Sequence, residues 1–252
     1  MTACATPSEH FAEIAKTDGF QETTLTTPQF QHRIYANNYP PNHQGLHVYI
    51  DGDGSPYEEQ VIDPTARQPL ILSLMAQDPT PAILLGRPCY YGFYKSPSCS
   101  PVLWTDQRYS QAVVNSMTEA LTQWLQSHAI NNNVTLIGYS GGGVLAVLMA
   151  QQLPAVQTVV TVAANLDVDA WTQYHQHQSL KGSINPRQKP PLAKTINQYH
   201  FAGGQDDNVP PETIKAYLDK QPSSQTNLQI FPDFNHVCCW QTTWLSILKL
   251  FN

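Results

Sequence analysis

Residues 134–143 read VTLIGYSGGG, and this stretch decides how the chain folds. Its first four residues are typical of a short buried strand, and the apolar run VLAVLMA that follows it predicts a helix beginning at Gly141. Glycines on both sides of Ser140 let the backbone turn sharply between the two elements. The G-x-S-x-G pattern is common by itself, but a strand before it and a helix after it indicate a nucleophile held at a strand end. A glycine-rich turn or a phosphate-binding helix N-terminus is the alternative.

Short apolar strands alternate with amphipathic helices on both sides of this stretch. Such alternation indicates one α/β domain over residues 1–252, with a single mostly parallel sheet and helices on both faces. Residues 1–20 form an N-terminal segment, and residues 165–192, which fit no regular element well, are predicted to be a small cap over one end of the sheet. The predicted strands are 29–35, 46–50, 82–85, 134–137, 158–162, 199–202 and 227–231, and the predicted helices are 69–77, 108–128, 141–151, 211–220 and 237–250.

A serine nucleophile needs a base, and the chain has nine histidines. His236 follows the last predicted strand and precedes the last helix, where the base belongs when the chain order is serine, acid, histidine. His200 lies within a predicted strand and is expected to be packed there. His175 and His177 form an HxH pair, but no third metal ligand stands at a recognisable spacing. We therefore predict His236 as the base, with no metal and no cofactor.

The acid is predicted to be Asp206, in the segment GGQDDNVP that follows the penultimate strand. A carboxylate at that strand end can orient the imidazole and stabilise its protonated form. Asp207 or Asn208 could instead cap the helix that follows. A rival acid lies in the segment NLDVD at 165–169, after the preceding strand.

An oxyanion hole needs backbone N–H groups, and the first is expected from Gly141, directly after the nucleophile. The second is expected from the DGDG segment at 51–54, where Asp53 has the favourable position. Carboxylates beside a developing negative charge are unfavourable unless they point away or are paired. A turn-forming or metal-binding DGDG therefore remains an alternative.

Aromatic residues are the candidates for the substrate pocket. We predict that Tyr139, next to the nucleophile, and Trp171, in the cap, line it, with Tyr174 and Tyr91 as further candidates. Because the cap is short, we expect an open site.

Taken together, the motifs resemble a group of proteobacterial α/β hydrolases, over nearly the whole chain. The resemblance implies the α/β-hydrolase fold and a Ser-His-Asp serine hydrolase, with the acid at the first position of D-x-x-V-P, which is Asp206. Asp51 stands where the family pattern usually has Glu. The matching motifs are ACATP at 3–7, VYIDGDG at 48–54, GRPC at 86–89 with Cys99, WT at 104–105, RYS at 108–110, the turn at 138–143, AANLD at 163–167, DAW at 169–171, the segment 203–211 and NHVCCW at 235–240.

These residues predict cleavage of an ester-type bond, a carboxylester or thioester, through an acyl-enzyme, as in carboxylesterases, with a small acyl compound as substrate. An acyltransferase or peptidase on the same triad is an alternative, and so is a non-catalytic envelope lipoprotein that serves as a binding module. The formal net charge of −6 argues against a nucleic-acid partner.

The cysteines bear on the location of the protein. Small residues before Cys4 and a polar stretch after it resemble the cleavage site of a bacterial lipoprotein signal, without its leader. We therefore expect lipid on Cys4, membrane anchoring through it, and a place on the periplasmic side of the cell envelope. An oxidising compartment would favour pairing the other four cysteines. Cys89 and Cys99, in one short loop, are predicted to form a disulfide, whereas the adjacent Cys238 and Cys239 are left open between free thiols and a bridge.

Overall fold

The structure is a computed structural model that describes residues 5–38, 45–55 and 62–251. Its regular elements confirm the predicted alternation of strands and helices. The strands are β1 (Gln21–Thr26), β2 (Gln31–Ala36), β3 (Leu46–Ile50), β4 (Ala82–Leu85), β5 (Val134–Tyr139), β6 (Val156–Val162), β7 (Asn197–Gly203) and β8 (Thr226–Phe231). The helices are α1 (Pro7–Thr17), α2 (Leu70–Met75), α3 (Gln111–Ser127), α4 (Gly141–Ala150), α5 (Val168–Tyr174), α6 (Pro211–Leu218) and α7 (Trp240–Leu248).

All eight strands form one sheet in the order β1-β2-β4-β3-β5-β6-β7-β8. Strands β3 to β8 run parallel to one another. Strands β1 and β2 lie beside β4 at one lateral side of the sheet and pair antiparallel. The parallel strands therefore end together at one edge of the sheet, called here the upper edge, and begin together at the lower edge. In folds of this kind, binding and catalytic residues collect at the edge where the strands end.

The centre of the fold is the β5–α4 unit. Every residue of α4 is buried, and β5 is buried except at its last residue. This agrees with the sequence, because a helix that is apolar all round has no face to present to water. Helix α4 packs against β3, β5 and β6, and the elements that carry the upper-edge loops are thereby held around it.

Two elements near the N-terminus were not predicted. Strand β1 reads QETTLT, and nearly all of it is exposed, so it lacks the apolar alternation that marks a strand. Helix α1 begins at a capping box in which the Thr6 hydroxyl accepts from the Glu9 N–H and the Glu9 carboxylate accepts from the Thr6 N–H. The T-x-x-E spacing is a sequence signal that could have located this helix.

The segment 165–192 also differs from the prediction of an irregular cap. It contains α5, which begins where the Asp167 side chain accepts a hydrogen bond from the Ala170 N–H. A short 3-10 turn at Pro186–Gln188 follows it. The helix has only seven residues, too few for its periodicity to be recognisable in the sequence.

The structure pairs all four described cysteines. A disulfide joins Cys89 and Cys99, as predicted, and a second joins the neighbours Cys238 and Cys239. Cys4, on which the lipid was predicted, lies outside the described residues. Within the described ranges, no helix has the length and apolar character needed to cross a bilayer.

Candidate active site

Ser140 occupies a sharp turn between β5 and α4 at the upper edge. Its backbone has φ 50° and ψ −123°, a conformation that costs a residue other than glycine about 1–3 kcal/mol. The Ser140 N–H donates to the Val162 carbonyl of the neighbouring strand at 2.9 Å, which holds the turn in place. Gly138 is required for the close approach, because a Cβ there would collide with the backbone of Gly142. The strand–turn–helix context of G-x-S-x-G is thus present.

Three predicted residues meet above the ends of β5, β7 and β8. The Ser140 Oγ lies 3.1 Å from the His236 Nε2, and the His236 Nδ1 lies 2.9 Å from the Asp206 Oδ2. The other carboxylate oxygen of Asp206 accepts backbone N–H bonds from Asn208 and Val209, at 3.0 and 2.7 Å. Asp206 is buried and fixed, so it holds the imidazole with Nδ1 as donor and leaves Nε2 as an acceptor for the serine hydroxyl.

The loop that carries His236 is held in place by hydrogen bonds from β5, from α7 and from within the loop. The Tyr139 hydroxyl and the Trp240 indole N–H both donate to the His236 carbonyl at 3.1 Å. The Asn235 side chain accepts from the N–H groups of Val237 and Cys238 and closes the turn. Tyr139 lines the cavity and, through this hydrogen bond, also positions the histidine loop.

The rival acid is engaged elsewhere. Asp167 caps α5, pairs with Arg187 at 2.8 Å and accepts a hydrogen bond from the Asn185 amide at 2.9 Å. Asp207, the alternative helix cap, is exposed. Only Asp206 among these carboxylates contacts the His236 ring in the part of the chain that the structure describes.

The Asp53 carboxylate is paired, which meets the condition stated for the DGDG segment. It accepts from Arg87 at 2.6 Å, from Arg108 at 2.9 Å and from the Tyr109 hydroxyl at 2.5 Å. Burial alone would raise the pKa of Asp53, but the charges of Arg108 and Arg87 and the hydrogen bonds lower it to about 2. The sequence motifs contained both arginines, yet nothing in their spacing showed that they would meet this carboxylate.

Asp51, two residues earlier, is also buried, but its pKa is shifted in the opposite direction. Burial raises the pKa of Asp51 to about 6, against the lowering effect of the hydrogen bond from the Gly52 N–H at 2.8 Å. The Tyr91 hydroxyl, predicted as a pocket residue, instead lies behind the loop and donates to Asp51 at 3.3 Å. With Asp51 protonated, the cluster of Asp53, Arg87 and Arg108 carries one more positive than negative charge.

The two predicted oxyanion residues are neighbours in space. Gly141 is the first residue of α4, where a backbone N–H has no acceptor within the helix. A Cβ at this position would collide with the Asp53 carboxylate and the Tyr109 hydroxyl, so only glycine fits. The backbone of Asp53 is fixed on its other side, because its carbonyl accepts from the Tyr90 hydroxyl at 3.0 Å.

A cavity of about 550 Å³ opens beside Ser140. Trp171 lines it, while the exposed Tyr174 meets the His175 ring edge-to-face and does not line the cavity. The remaining wall was not predicted as part of a site: it includes Arg67, Gln68, Arg108, Asn165, His175, His177 and Asn208.

The HxH pair belongs to the cap wall. The rings of His175 and His177 stack with centroids 5.4 Å apart, and the His175 Nε2 and the Trp171 indole N–H both lie against the Asn208 carbonyl, at 2.7 and 2.9 Å. No group of three or more histidine, cysteine or acidic side chains suited to a metal ion occurs among the residues that the structure describes. The position of the pair in the predicted cap was the one signal that could have placed it here.

Comparisons with known proteins agree with this architecture. No family model matches the sequence, and no curated protein matches it. An esterase of Pyrococcus furiosus superposes with a TM-score of 0.65 at 13% identity, covering 100% of this chain and 94% of that one. An α/β serine hydrolase of Xanthomonas campestris described as lacking a lid gives 0.59 at 12% identity, covering 92% and 94%.

A puromycin hydrolase also superposes, with a TM-score of 0.65 at 15% identity; the match covers 91% of this chain but only 38% of that longer protein. At these identities the likeness concerns the fold. The chain has the α/β-hydrolase fold.

Proposed function

We propose that the protein is a serine hydrolase that cleaves an ester-type bond through an acyl-enzyme on Ser140. The observation that carries the proposal is the unbroken contact from Ser140 through His236 to Asp206 at the edge of a solvent-accessible cavity. Such a series of contacts between serine, histidine and aspartate activates a hydroxyl that is otherwise a weak nucleophile. A carboxylesterase-like reaction is the simplest that these groups support.

The mechanism follows from the placement of each group. His236 Nε2 takes the Ser140 proton as Oγ attacks the substrate carbonyl, and Asp206 stabilises the imidazolium that forms. The N–H groups of Gly141 and Asp53 receive the oxyanion, each contributing about 3–4 kcal/mol. The same imidazolium protonates the leaving alcohol, and water activated by His236 then releases the acyl group.

The paired arginines assist at the oxyanion. Arg87 and Arg108 neutralise the Asp53 carboxylate, so the loop that supplies the second N–H does not repel developing negative charge. A protonated Asp51 would act in the same direction, because its pKa of about 6 leaves it partly neutral in mildly acidic solution.

The cavity indicates a polar substrate portion. Ala66 is the only aliphatic side chain that lines it among the described residues, and most other lining groups offer hydrogen bonds. Ligand sites bind by matching such groups, so a small hydroxylated or charged moiety is favoured there.

We further propose that the protein works in an oxidising compartment such as the bacterial cell envelope. The support is the disulfide between Cys89 and Cys99, because such bonds persist mainly in oxidising environments. Anchoring through Cys4 stays a prediction.

The test is labelling with a fluorophosphonate probe followed by peptide mass spectrometry. Wild type is expected to carry the adduct on Ser140, and Ser140→Ala and His236→Ala are expected to lose it. Ser116→Ala is the matched control, because the Ser116 hydroxyl also contacts an imidazole, that of His32 at 2.7 Å, but is buried away from the cavity. Absence of an adduct on well-folded wild type would contradict the proposal and favour a binding module. For a labelled enzyme, p-nitrophenyl esters offered with water or with a competing alcohol separate hydrolase from acyltransferase.

A further inference from the structure

A second groove of about 340 Å³ lies beside the active-site cavity. It runs between α1, the start of α2 and the segment directly after the catalytic histidine loop. Arg67 and Gln68 line both the groove and the cavity, which places the two spaces next to each other. The residues around it are His10, Ile14, Arg67, Gln68, Pro69, Leu70, Ser73, Val237 and Gln241.

The groove differs from the cavity in its chemistry. Ile14, Pro69, Leu70 and Val237 give it an apolar surface, whereas Ala66 is the only aliphatic residue around the cavity within the described ranges. Val237 directly follows His236 and is 52% exposed. An apolar surface left open beside a catalytic group is the kind of surface that binds the apolar part of a ligand.

We propose that this groove binds an alkyl chain of an amphiphilic ester whose polar part occupies the active-site cavity. The inference rests on the proposed function for the ester bond and names the substrate class. Its basis is continuity: Arg67 and Gln68 line both the cavity and the groove, and the groove residue Val237 directly follows the cavity residue His236. The apolar surface of the cavity comes chiefly from rings such as those of Tyr139 and Trp171, so the groove supplies the aliphatic contacts that the cavity lacks.

Binding is tested separately from catalysis with Ser140→Ala protein and calorimetry. The probes are octyl glucoside below its micelle concentration and methyl glucoside, which share a polar head and differ in the alkyl chain. The octyl compound is expected to bind at least about tenfold more tightly, because each buried methylene favours binding. Equal affinities, or no binding of either compound, would overturn the proposal.

Variants locate the effect. Val237→Asn and Ile14→Asn, each in the Ser140→Ala background, are expected to weaken octyl glucoside binding about tenfold relative to methyl glucoside. Leu245→Asn is the matched control, since Leu245 is 53% exposed on α7 and does not line the groove. Equal effects of all three variants would show that the chain binds elsewhere. Thermal melts confirm that each variant is folded, and Val237, being exposed, is the safer position.

Turnover by the unmodified enzyme gives the second measurement. The ratio of kcat/KM for p-nitrophenyl octanoate to that for the acetate is expected to exceed one and to fall in Val237→Asn. If the enzyme hydrolyses the acetate ester and shows no preference for the octanoate ester, the groove proposal is wrong and the proposed hydrolase activity is still supported. If octyl glucoside binds but wild type is not labelled by the fluorophosphonate, the groove proposal stands and the hydrolase proposal fails.

Discussion

The sheet carries a histidine–aspartate pair at each of its two edges. At the upper edge, His236 Nδ1 lies 2.9 Å from Asp206; at the lower edge, His47 Nδ1 lies 2.6 Å from Asp78. Both aspartates are buried. By the histidine–aspartate contact alone, the lower pair would qualify as part of a catalytic site.

What surrounds the two pairs differs. The upper imidazole turns its second nitrogen to Ser140 and a cavity. The lower imidazole packs against Phe251, and its aspartate also accepts from the Tyr49 hydroxyl at 2.5 Å. The lower pair is thus part of the core between β3 and the chain end. A histidine–aspartate pair is therefore not enough for a candidate site, which also needs a serine hydroxyl within reach of the imidazole and open space beside it.

The carboxylates of the two edges also differ in what they do for stability. Burial would raise the pKa of Asp78, but hydrogen bonds from His47 and Tyr49 and the charge of His47 outweigh it and lower that pKa. Asp51 at the upper edge lacks comparable partners, and its pKa is raised to about 6. The partners of Asp78 therefore stabilise its charge, whereas the buried charge of Asp51 opposes folding.

The largest expected effect separates the two pairs by activity. Asp206→Asn should reduce kcat about 10³- to 10⁴-fold, because the imidazole loses its orienting acceptor and its charged partner. Asp78→Asn should leave kcat within about threefold and lower the free energy of unfolding by about 1–3 kcal/mol. Ester hydrolysis and urea denaturation of both variants check this. If folded Asp78→Asn protein loses as much activity as Asp206→Asn, the distinction between the two pairs is wrong.

A smaller effect concerns Asp51. Because its folded pKa of about 6 lies above the unfolded value of about 4, its stabilising contribution is complete below pH 4 and is lost as pH rises through 6. Because asparagine does not ionise, the Asp51→Asn variant does not lose this stability as the pH rises. Relative to wild type, the variant should gain about 1–3 kcal/mol in unfolding free energy between pH 4 and pH 8. Urea titrations at both pH values measure the gain, and a difference that does not change with pH would refute the assignment.

The smallest effect is the mirror image at the lower edge. The folded pKa of Asp78 is depressed, so its stabilisation is present above the unfolded value of about 4 and is lost as pH falls through the folded pKa. The stability difference between wild type and Asp78→Asn should therefore be greatest near neutral pH and shrink below pH 4. Denaturation curves from pH 7 to pH 2.5 follow it; a difference that grows on acidification would reverse the contrast with Asp51.

Local sequence patterns were sufficient to predict the elements at the centre of the fold and to propose the three triad residues. The apolar strand, the glycines and the apolar helix around Ser140 each predict their own conformation, and the strand-end positions of Asp206 and His236 follow from the chain order. Both the β5–α4 unit and the meeting of these three side chains depend on short segments whose signals agree with one another.

Contacts made only in the folded chain could not be predicted in this way. Arg87 and Arg108 reach Asp53 from separate loops, and the cap brings His175 and His177 to the cavity. Strand β1 owes its place to pairing with β2, since its own residues are polar. The arginines and the cap histidines lie far from the site loops in sequence, whereas β2 directly follows β1, and none of these contacts leaves a periodic trace.

The backbone of Ser140 has a consequence for how this chain can change over generations. Glycine adopts a left-handed backbone more readily than serine does, so Ser140→Gly would relieve strain at the turn while deleting the hydroxyl. Selection for stability alone would thus tolerate the loss of the serine hydroxyl at this position. In relatives of this chain, a serine kept at this position would therefore indicate selection for its hydroxyl, and a lineage freed of that demand is expected to change at this residue first.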